Sequence, residues 1–200
     1  MRKEPAQKRS ALMVERILAE AARILEEDGI AGLTTNRVAV GAGISVGSLY
    51  QYFSSKEDIV RALAAGYAAE ITALYDKLFA EENRALPIEE LVARLLDEGL
   101  AINGRRSALK RFLLSSDAPS PARATLDEAS AAIRGRIVRF IKERTGGRIG
   151  EADADRCFRV TISLVKALAG ALSDSGGHDE EIVAAYRVII GQYWRRELAE

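Results

Sequence analysis

The chain has 200 residues, of which 48% are hydrophobic and 29% are charged, a balance typical of a globular protein with a sizeable core. This composition excludes a disordered chain, and no stretch reaches the roughly 18 uninterrupted apolar residues that a membrane helix needs. Basic and acidic residues both number 29, so the net charge identifies no polyanionic partner. The single cysteine, Cys157, excludes an internal disulfide, and the N-terminal stretch is charged rather than apolar. Both features predict a cytoplasmic protein without a membrane partner.

Helical periodicity dominates the chain, and the alternation typical of strands is almost absent. Glycines, prolines and Ser or Thr caps separate the periodic segments. The predicted helices cover residues 10–28, three very short segments within 34–53, 54 to about 83, 87 to about 103, 105–116, the segment from the 119–121 break to 145, 151–172 and 179–198. The fold class is therefore all-α, with about nine helices divided between a small head, residues 1–55, and a larger body, residues 56–200.

Residues 34–50 have the layout of a helix-turn-helix. Thr34 or Thr35 caps a first short helix, and Gly43 lets the chain turn sharply before Ser45 caps a second helix. The alternative interpretation is a helical hairpin whose glycines and serines only make turns, because this pattern alone is a weak signal.

The second of these helices turns Leu49 and Phe53, which are four residues apart, toward the core. Its remaining residues stay at the open end and flank, namely Val46, Gly47, Ser48, Tyr50 and Tyr52. Recognition helices use such N-terminal residues to reach base edges and phosphates. The pattern therefore favours contact with duplex DNA.

Local charge supports the same interpretation. The segment from residue 29 to 56 contains no acid, whereas Arg37 and Lys56 contribute two positive charges. The N-terminal arm adds further cations against Glu4 alone, namely Arg2, Lys3, Lys8 and Arg9. A basic surface without acids suits a phosphate backbone, whatever the net charge of the whole chain.

Residues 43–57 read Gly-Ile-Ser-Val-Gly-Ser-Leu-Tyr-Gln-Tyr-Phe-Ser-Ser-Lys-Glu and strongly resemble the DNA-binding head of the TetR family of bacterial transcriptional regulators. The helix at residues 17–22, Gly29 and the Thr34-Thr35 pair sit where that family places them. The specific resemblance covers about residues 10–62. It implies a ligand-responsive regulator, most simply a repressor that a small molecule releases from a palindromic operator.

The resemblance implies eight DNA-contacting residues: Thr35, Asn36, Val46, Gly47, Ser48, Tyr50, Tyr52 and Lys56. The first two would approach the backbone or a base, and the next three would lie near base edges. The tyrosine hydroxyls would reach phosphates, as would Lys56, which we expect to be an exposed first-turn lysine. Many members carry Lys where this chain has Val46, which favours an apolar contact there, for example to a thymine methyl.

The last two predicted helices are apolar on more than one face. One stripe serves a core and a second needs a partner, so two helices from each of two copies are expected to form a four-helix dimer interface. A homodimer is also what the resemblance implies. The expected interface residues are Ile162, Val165, Ala169, Ile182, Tyr186, Ile189 and Tyr193. The alternative is a central helix pair wrapped by its own chain.

Aromatic residues on the body helices are candidates for lining an effector pocket: Tyr67, Tyr75, Phe79, Phe112, Phe140 and Phe158. Taken one at a time, each aromatic is more often a core residue than a pocket residue. The sequence therefore leaves the class of the small-molecule effector open.

Little in the sequence favours catalysis. His178 is the only histidine and has no second imidazole or thiol nearby, so no metal site and no cofactor are predicted. Cys157 lies on an apolar helix and is expected to be packed rather than nucleophilic. The prediction is a regulator rather than an enzyme. Two alternatives stay open at this point, a small all-helical enzyme or carrier that uses the interior pocket, and a helical interaction module with a non-functional head.

Overall fold

The computed structural model describes residues 4–115, 117–174 and 179–198. Over these residues the chain forms nine α-helices, one 3-10 helix and no strand. The helices are α1 (Glu4–Gly32), α2 (Thr35–Gly41), α3 (Val46–Leu49), α4 (Lys56–Leu78), the 3-10 helix Glu81–Asn83, α5 (Ile88–Arg105), α6 (Ser107–Leu113), α7 (Ser120–Arg144), α8 (Glu151–Asp174) and α9 (Glu180–Leu198). The all-α prediction is thereby confirmed. A search of the described helices finds none with the length and apolar character needed to cross a membrane.

Three helices have bounds that differ from the predicted ones. The first helix begins at Glu4 and continues past Gly29, which bends it with a φ of 66° that favours glycine. The recognition helix α3 ends at Leu49, so Phe53 follows the helix instead of lying on it. Phe53 is nevertheless buried, because its amide donates to the Leu49 carbonyl at 3.0 Å and the turn keeps the side chain inside. The helix predicted to reach residue 83 stops at Leu78.

The helices group into two compact units. One, which we call the head unit, comprises Met1–Ala68 and Arg106–Asp127, and the other, the body unit, comprises Ala69–Arg105 and Glu128–Glu200. The helix α4 contributes to both units, and α6 belongs to the head unit although it lies far along the chain. The division of the chain into two domains at residues 1–55 and 56–200 stays a prediction.

The head unit is built on α1, whose residues Ile17, Ala21 and Leu25 are almost fully buried at helical spacing. The same helix also holds α6. The Glu26 carboxylate accepts hydrogen bonds from the Ala108 amide at 2.9 Å and from the Ser107 hydroxyl at 3.0 Å. The first amides of a helix have no partner within the helix, so a carboxylate from α1 satisfies them and matches the positive end of the dipole.

In the body unit, α9 packs against α8 around a buried hydrogen-bonded chain. Trp194 donates its indole N–H to the Thr161 hydroxyl at 2.7 Å, and that hydroxyl donates to the Cys157 carbonyl at 2.8 Å. Cys157 is buried as expected, and its burial raises the pKa of the thiol. Ion pairs of Arg187 with Asp97 and of Arg195 with Glu89 join α9 to α5.

Candidate nucleic-acid interface

The first helix of the helix-turn-helix starts where the sequence predicts. Thr34 adopts an extended conformation and its hydroxyl accepts the Arg37 amide at 3.3 Å, which caps α2. Val38 and Ala39 on the opposite side are completely buried. The helix is therefore fixed by a cap at one end and by a two-residue apolar face.

The turn and the second helix follow directly. Gly43 has a φ of 67°, and the Ile44 amide returns to the Ala39 carbonyl at 3.0 Å. Ser45 then caps α3, since its hydroxyl accepts the Ser48 amide at 3.0 Å. Leu49 is completely buried beneath this cap. These contacts confirm the predicted helix-turn-helix layout and fix α3 to α2.

The outer face carries the predicted contact residues. Asn36 and Gly47 are exposed, whereas Thr35, Val46, Ser48 and Tyr52 are half-buried. The Tyr50 side chain is 51% exposed, and its hydroxyl lies 3.4 Å from the Thr35 hydroxyl, so α2 and the end of α3 meet at this point. Their assignment as DNA contacts stays a prediction, and all of them present hydroxyl, amide or apolar groups without charge.

Lys56 differs from the expectation that it is an exposed lysine. It is half-buried, and its ammonium donates to the Ile30 carbonyl at 2.7 Å. An ammonium has three hydrogens, so this bond leaves two for another acceptor. Contact of Lys56 with a phosphate therefore stays a prediction, while its role in holding α4 against the end of α1 is a feature that the sequence did not predict.

Arg37, which the sequence predicts as a positive charge on the DNA-facing segment, is paired with an acid that lies outside that segment. Its guanidinium pairs with Asp28 at 2.5 Å and donates to the Gly32 carbonyl at 3.1 Å. Asp28 stands one residue before the acid-free segment, which is why inspection of the segment alone missed it. Arg37 and Lys56 together satisfy carbonyls at the C-terminal end of α1, where the helix dipole favours cations.

Ser54, Ser55 and Asp58 cap the start of α4. The Asp58 amide donates to the Ser55 hydroxyl at 3.2 Å, and the Asp58 carboxylate accepts the Ser54 amide at 3.1 Å. The Ser54 hydroxyl also donates to this carboxylate, and that bond lowers the pKa of Asp58. Two neighbouring serines thus cap α4 together, since Ser55 accepts the Asp58 amide and the Asp58 carboxylate accepts hydrogen bonds from Ser54.

Comparison with known proteins identifies the two parts of this chain. Residues 17–63 match the model of the bacterial regulatory proteins of the tetR family, and residues 86–198 match the tetracyclin repressor-like C-terminal domain. The chain belongs to the TetR family. Its helix-turn-helix lies within the residues that match the first of these models.

Individual TetR-family relatives match the N-terminal part of this chain. It is 34% identical over 84 residues to the uncharacterized HTH-type transcriptional regulator YvaF of Bacillus subtilis, covering 42% of this chain and 43% of the relative. It is 37% identical over 75 residues to the HTH-type transcriptional repressor KstR2 of Mycobacterium tuberculosis, covering 38% and 36% of the two chains. The match therefore spans less than half the length of these curated relatives.

A solved structure shares the fold over most of the chain. The transcriptional regulator FadR from Bacillus subtilis, crystallised in complex with stearoyl-CoA, superposes with a TM-score of 0.69 and 16% sequence identity. The superposition covers 88% of this chain and 95% of FadR. At this identity the likeness establishes the TetR-family fold of both parts.

The body of this TetR-family chain has two different faces on each of α8 and α9. One face is buried in the chain itself and includes Leu168, Leu172, Ile190 and Trp194. The predicted interface residues lie on the other face, at intervals of three and four on α8 and of four, three and four on α9. Ile162, Val165, Ala169, Ile182, Tyr186 and Tyr193 are half-buried, and Ile189 is 48% exposed. The apolar second stripe is thus present, and its role in a dimer stays a prediction.

The six aromatic candidates for an effector pocket do not form one group. Tyr75 stacks on Phe79 with ring centroids 5.8 Å apart, and Phe79 meets Phe140 edge-to-face at 5.0 Å. All three are buried against one another in the body unit and therefore form part of its core. Phe158 is half-buried, four residues before Ile162 on the second stripe of α8. The remaining two, Tyr67 and Phe112, belong to the head unit.

Groups suited to metal chemistry are sparse in the part of the chain that the structure describes. Among those residues, no three of the His, Cys, Asp and Glu side chains come together in a way that could hold a metal ion. His178 lies outside the described residues. The acids at Glu151, Asp153 and Asp155 open α8, as their position in the sequence predicts.

Proposed function

We propose that this protein is a DNA-binding transcriptional regulator, most simply a homodimeric repressor that a small molecule releases from a palindromic operator. The observation that carries the proposal is the helix-turn-helix of the head unit. Two short, capped helices flank the Gly43 turn, and the N-terminal residues of α3 stay open beside them. This is the arrangement with which a recognition helix enters the major groove. Membership of the TetR family supports the same function.

The residues of the outer face fall into two groups with different proposed DNA contacts. Val46, Gly47 and Ser48 form the first turn of α3 and would lie near base edges. Tyr50, Tyr52, Thr35 and Asn36 flank that turn and would position the helix through hydrogen bonds to phosphate and sugar. A methyl-bearing Val46 in place of a cation favours contact with a thymine methyl, so at this position we expect the operator to carry an A·T pair.

The second stripes of α8 and α9 support dimerisation. Each stripe carries apolar residues that its own chain leaves partly exposed, and joining two copies would remove this surface from water. A dimer presents two heads, so its operator would contain two half-sites about 34–36 Å apart. This requirement links the stripe in the body unit to specific DNA binding.

Effector control is the finer part of the proposal. Since α4 is one continuous helix from Lys56 in the head unit to Leu78 in the body unit, a ligand that prefers one position of this helix would change the spacing of the two heads. Ligand and DNA would then oppose each other by a coupling free energy of about 1–3 kcal/mol, and the effect must be reciprocal. Stearoyl-CoA, the ligand in the FadR structure, is the first probe to test.

The experiment begins with selection of binding sites from a pool of random duplexes, at physiological salt and with non-specific competitor DNA. The proposal expects an enriched palindrome, which fluorescence anisotropy should then show to bind far more tightly than a scrambled duplex. Enrichment of no sequence would overturn the assignment as a regulator. The effector part is tested separately, because stearoyl-CoA should weaken operator binding and saturating operator should weaken stearoyl-CoA binding by the same factor.

A further inference from the structure

Arg16 on α1 touches the turn of the helix-turn-helix. Its guanidinium donates to the Ala42 carbonyl at 2.6 Å, and a methyl group placed on Gly43 would lie 3.1 Å from the same nitrogen. The guanidinium is therefore fixed against the residues that connect α2 to α3. A guanidinium has five N–H donors, and this contact uses one of them.

Arg16 differs from the arginines around it in having no acidic partner among the described residues. Arg23, seven residues further along α1, is held by Glu20 at 2.6 Å and by Glu27, and Arg37 is held by Asp28. Among the ion pairs of residues 8–115, none involves Arg16, although Glu15 precedes it in the chain. Its positive charge therefore stays unneutralised by any acid that the structure describes.

Arg9 lies two helical turns before Arg16 and shares its face of α1. The two arginines border a shallow surface strip that also contains Leu12, Met13, Glu15 and Ala19, and Leu12 is 59% exposed. Seven residues of helix separate the two cations by about 10 Å along the axis. The strip thus presents two positive charges and one negative charge, with the apolar Leu12 and Met13 between the arginines.

Chain geometry brings this strip to the edge of the proposed DNA site. Ala42 precedes the α3 cap Ser45 by three residues, so at most about 11 Å separate their Cα atoms. The major groove is about 12 Å wide, so phosphates border any helix that lies in it at a similar distance. Because the Arg16 guanidinium is bonded to Ala42, it lies close enough to the start of α3 to reach a bordering phosphate when α3 enters the groove.

We propose that Arg16 and Arg9 bind phosphates of the DNA strand that borders the recognition helix, forming a second contact surface on α1. This inference rests on the proposed function. Two guanidiniums supply the charge that a phosphate backbone attracts, and deoxyribose offers an apolar surface to Leu12 and Met13 between them. Phosphate is recognised here without base specificity, so the surface adds affinity and register.

The test measures the salt dependence of duplex binding for Arg16→Gln, Arg9→Gln and the matched control Arg23→Gln. Each lost phosphate contact lowers the slope of log affinity against log salt by about 0.9. We expect that loss for Arg16→Gln and for Arg9→Gln, equally on the selected operator and on a scrambled duplex, and no change for Arg23→Gln. Far-UV circular dichroism verifies that each variant is folded.

Arg16→Lys and Arg16→Gln both keep a side-chain donor for the Ala42 carbonyl, but only Arg16→Lys keeps the positive charge. On our proposal this variant keeps the wild-type slope, because the cation remains. If Arg16 only stabilises the turn, Arg16→Lys and Arg16→Gln will weaken binding alike with the slope unchanged, and the inference is wrong. An unchanged slope in Arg9→Gln and Arg16→Gln while wild type still selects its operator overturns this inference alone. A wild-type protein that binds no duplex overturns the proposed function together with it.

Discussion

The α2–α3 pair and the α8–α9 pair each bury one apolar face, but the chemical character of their other, more exposed faces differs. Each pair buries one apolar face, with Val38 and Leu49 in the first and Leu168 and Ile190 in the second. On the other side, α2 and α3 present mostly hydroxyls, an amide and a glycine beside Val46, and Val40 on α2 is 77% exposed, whereas α8 and α9 present a second apolar stripe.

This difference indicates two kinds of partner. Hydroxyl and amide groups exchange water for phosphates and base edges at little cost, since both surfaces are polar. An apolar stripe gains free energy only when another apolar surface covers it. On the proposed function, the first pair would contact DNA and the second would contact an identical copy, and the following experiments test that contrast.

The largest effect is expected for Ile189→Glu. In one chain Ile189 is 48% exposed, so the variant should fold, but in a dimer it would place an unpaired charge in an apolar interface at a cost of about 3–5 kcal/mol. Light scattering should report a monomer, and operator affinity should fall because a monomer reads one half-site. Gln192→Glu, on the exposed side of α9, is the matched control and should stay dimeric. A dimeric Ile189→Glu protein would mean that the interface lies elsewhere.

A smaller effect is expected on the polar side of the contrast, at Tyr50. Tyr50→Phe removes only the hydroxyl and should cost about 1–2 kcal/mol of operator binding if that group bonds a phosphate. Tyr50→Ala should cost more, because the ring is lost as well. Fluorescence anisotropy on operator and scrambled duplexes measures both. Wild-type affinity in both variants would show that Tyr50 faces no DNA.

For Lys56→Ala the expected change is in salt dependence. Loss of one phosphate contact should lower the slope of log affinity against log salt by about one unit, equally for all sequences. Lys56 also holds the Ile30 carbonyl, so Lys56→Arg serves as the control that keeps a cation at this place. An affinity loss with an unaltered slope in Lys56→Ala would assign the residue to positioning of α4 only.

The smallest effect concerns the cap of α4. The Ser54 hydroxyl lowers the pKa of Asp58 below its ordinary value of 3.8. The ionised carboxylate therefore stabilises the folded state fully at pH values above 3.8, and this contribution is lost as the pH falls through the lowered pKa. Ser54→Ala should raise the pKa of Asp58 toward its ordinary value, which NMR titration of the carboxyl carbon measures. DNA binding at neutral pH should be unchanged. An identical Asp58 pKa in the variant would contradict the assignment of the cap.

Local features explain why so much of the fold follows from the sequence. Gly43 and the Ser45 cap act through their own backbone or a neighbour three residues away, so a short window of sequence predicts them correctly. Helices α8 and α9 have long apolar periodicity, and their predicted bounds agree with the structure within about two residues.

Contacts between distant residues account for what the sequence does not predict. Glu26 and Ala108 are 82 residues apart, and nothing near Glu26 indicates that it caps α6. Arg16 and Lys56 each bond a carbonyl 26 residues away, a partner with no side-chain signature. For Arg16 the only available signal was its place seven residues after Arg9, on the same face of the first helix.

The buried indole of Trp194 also makes the protein its own reporter. The chain has one tryptophan, and its N–H is bonded to Thr161 inside the body unit. Intrinsic fluorescence excited at the indole therefore records the environment of α8 and α9 without a label and without a contribution from the head unit. A melting curve followed by fluorescence, compared with one followed by circular dichroism over all helices, will reveal whether the two units unfold in one transition or in two.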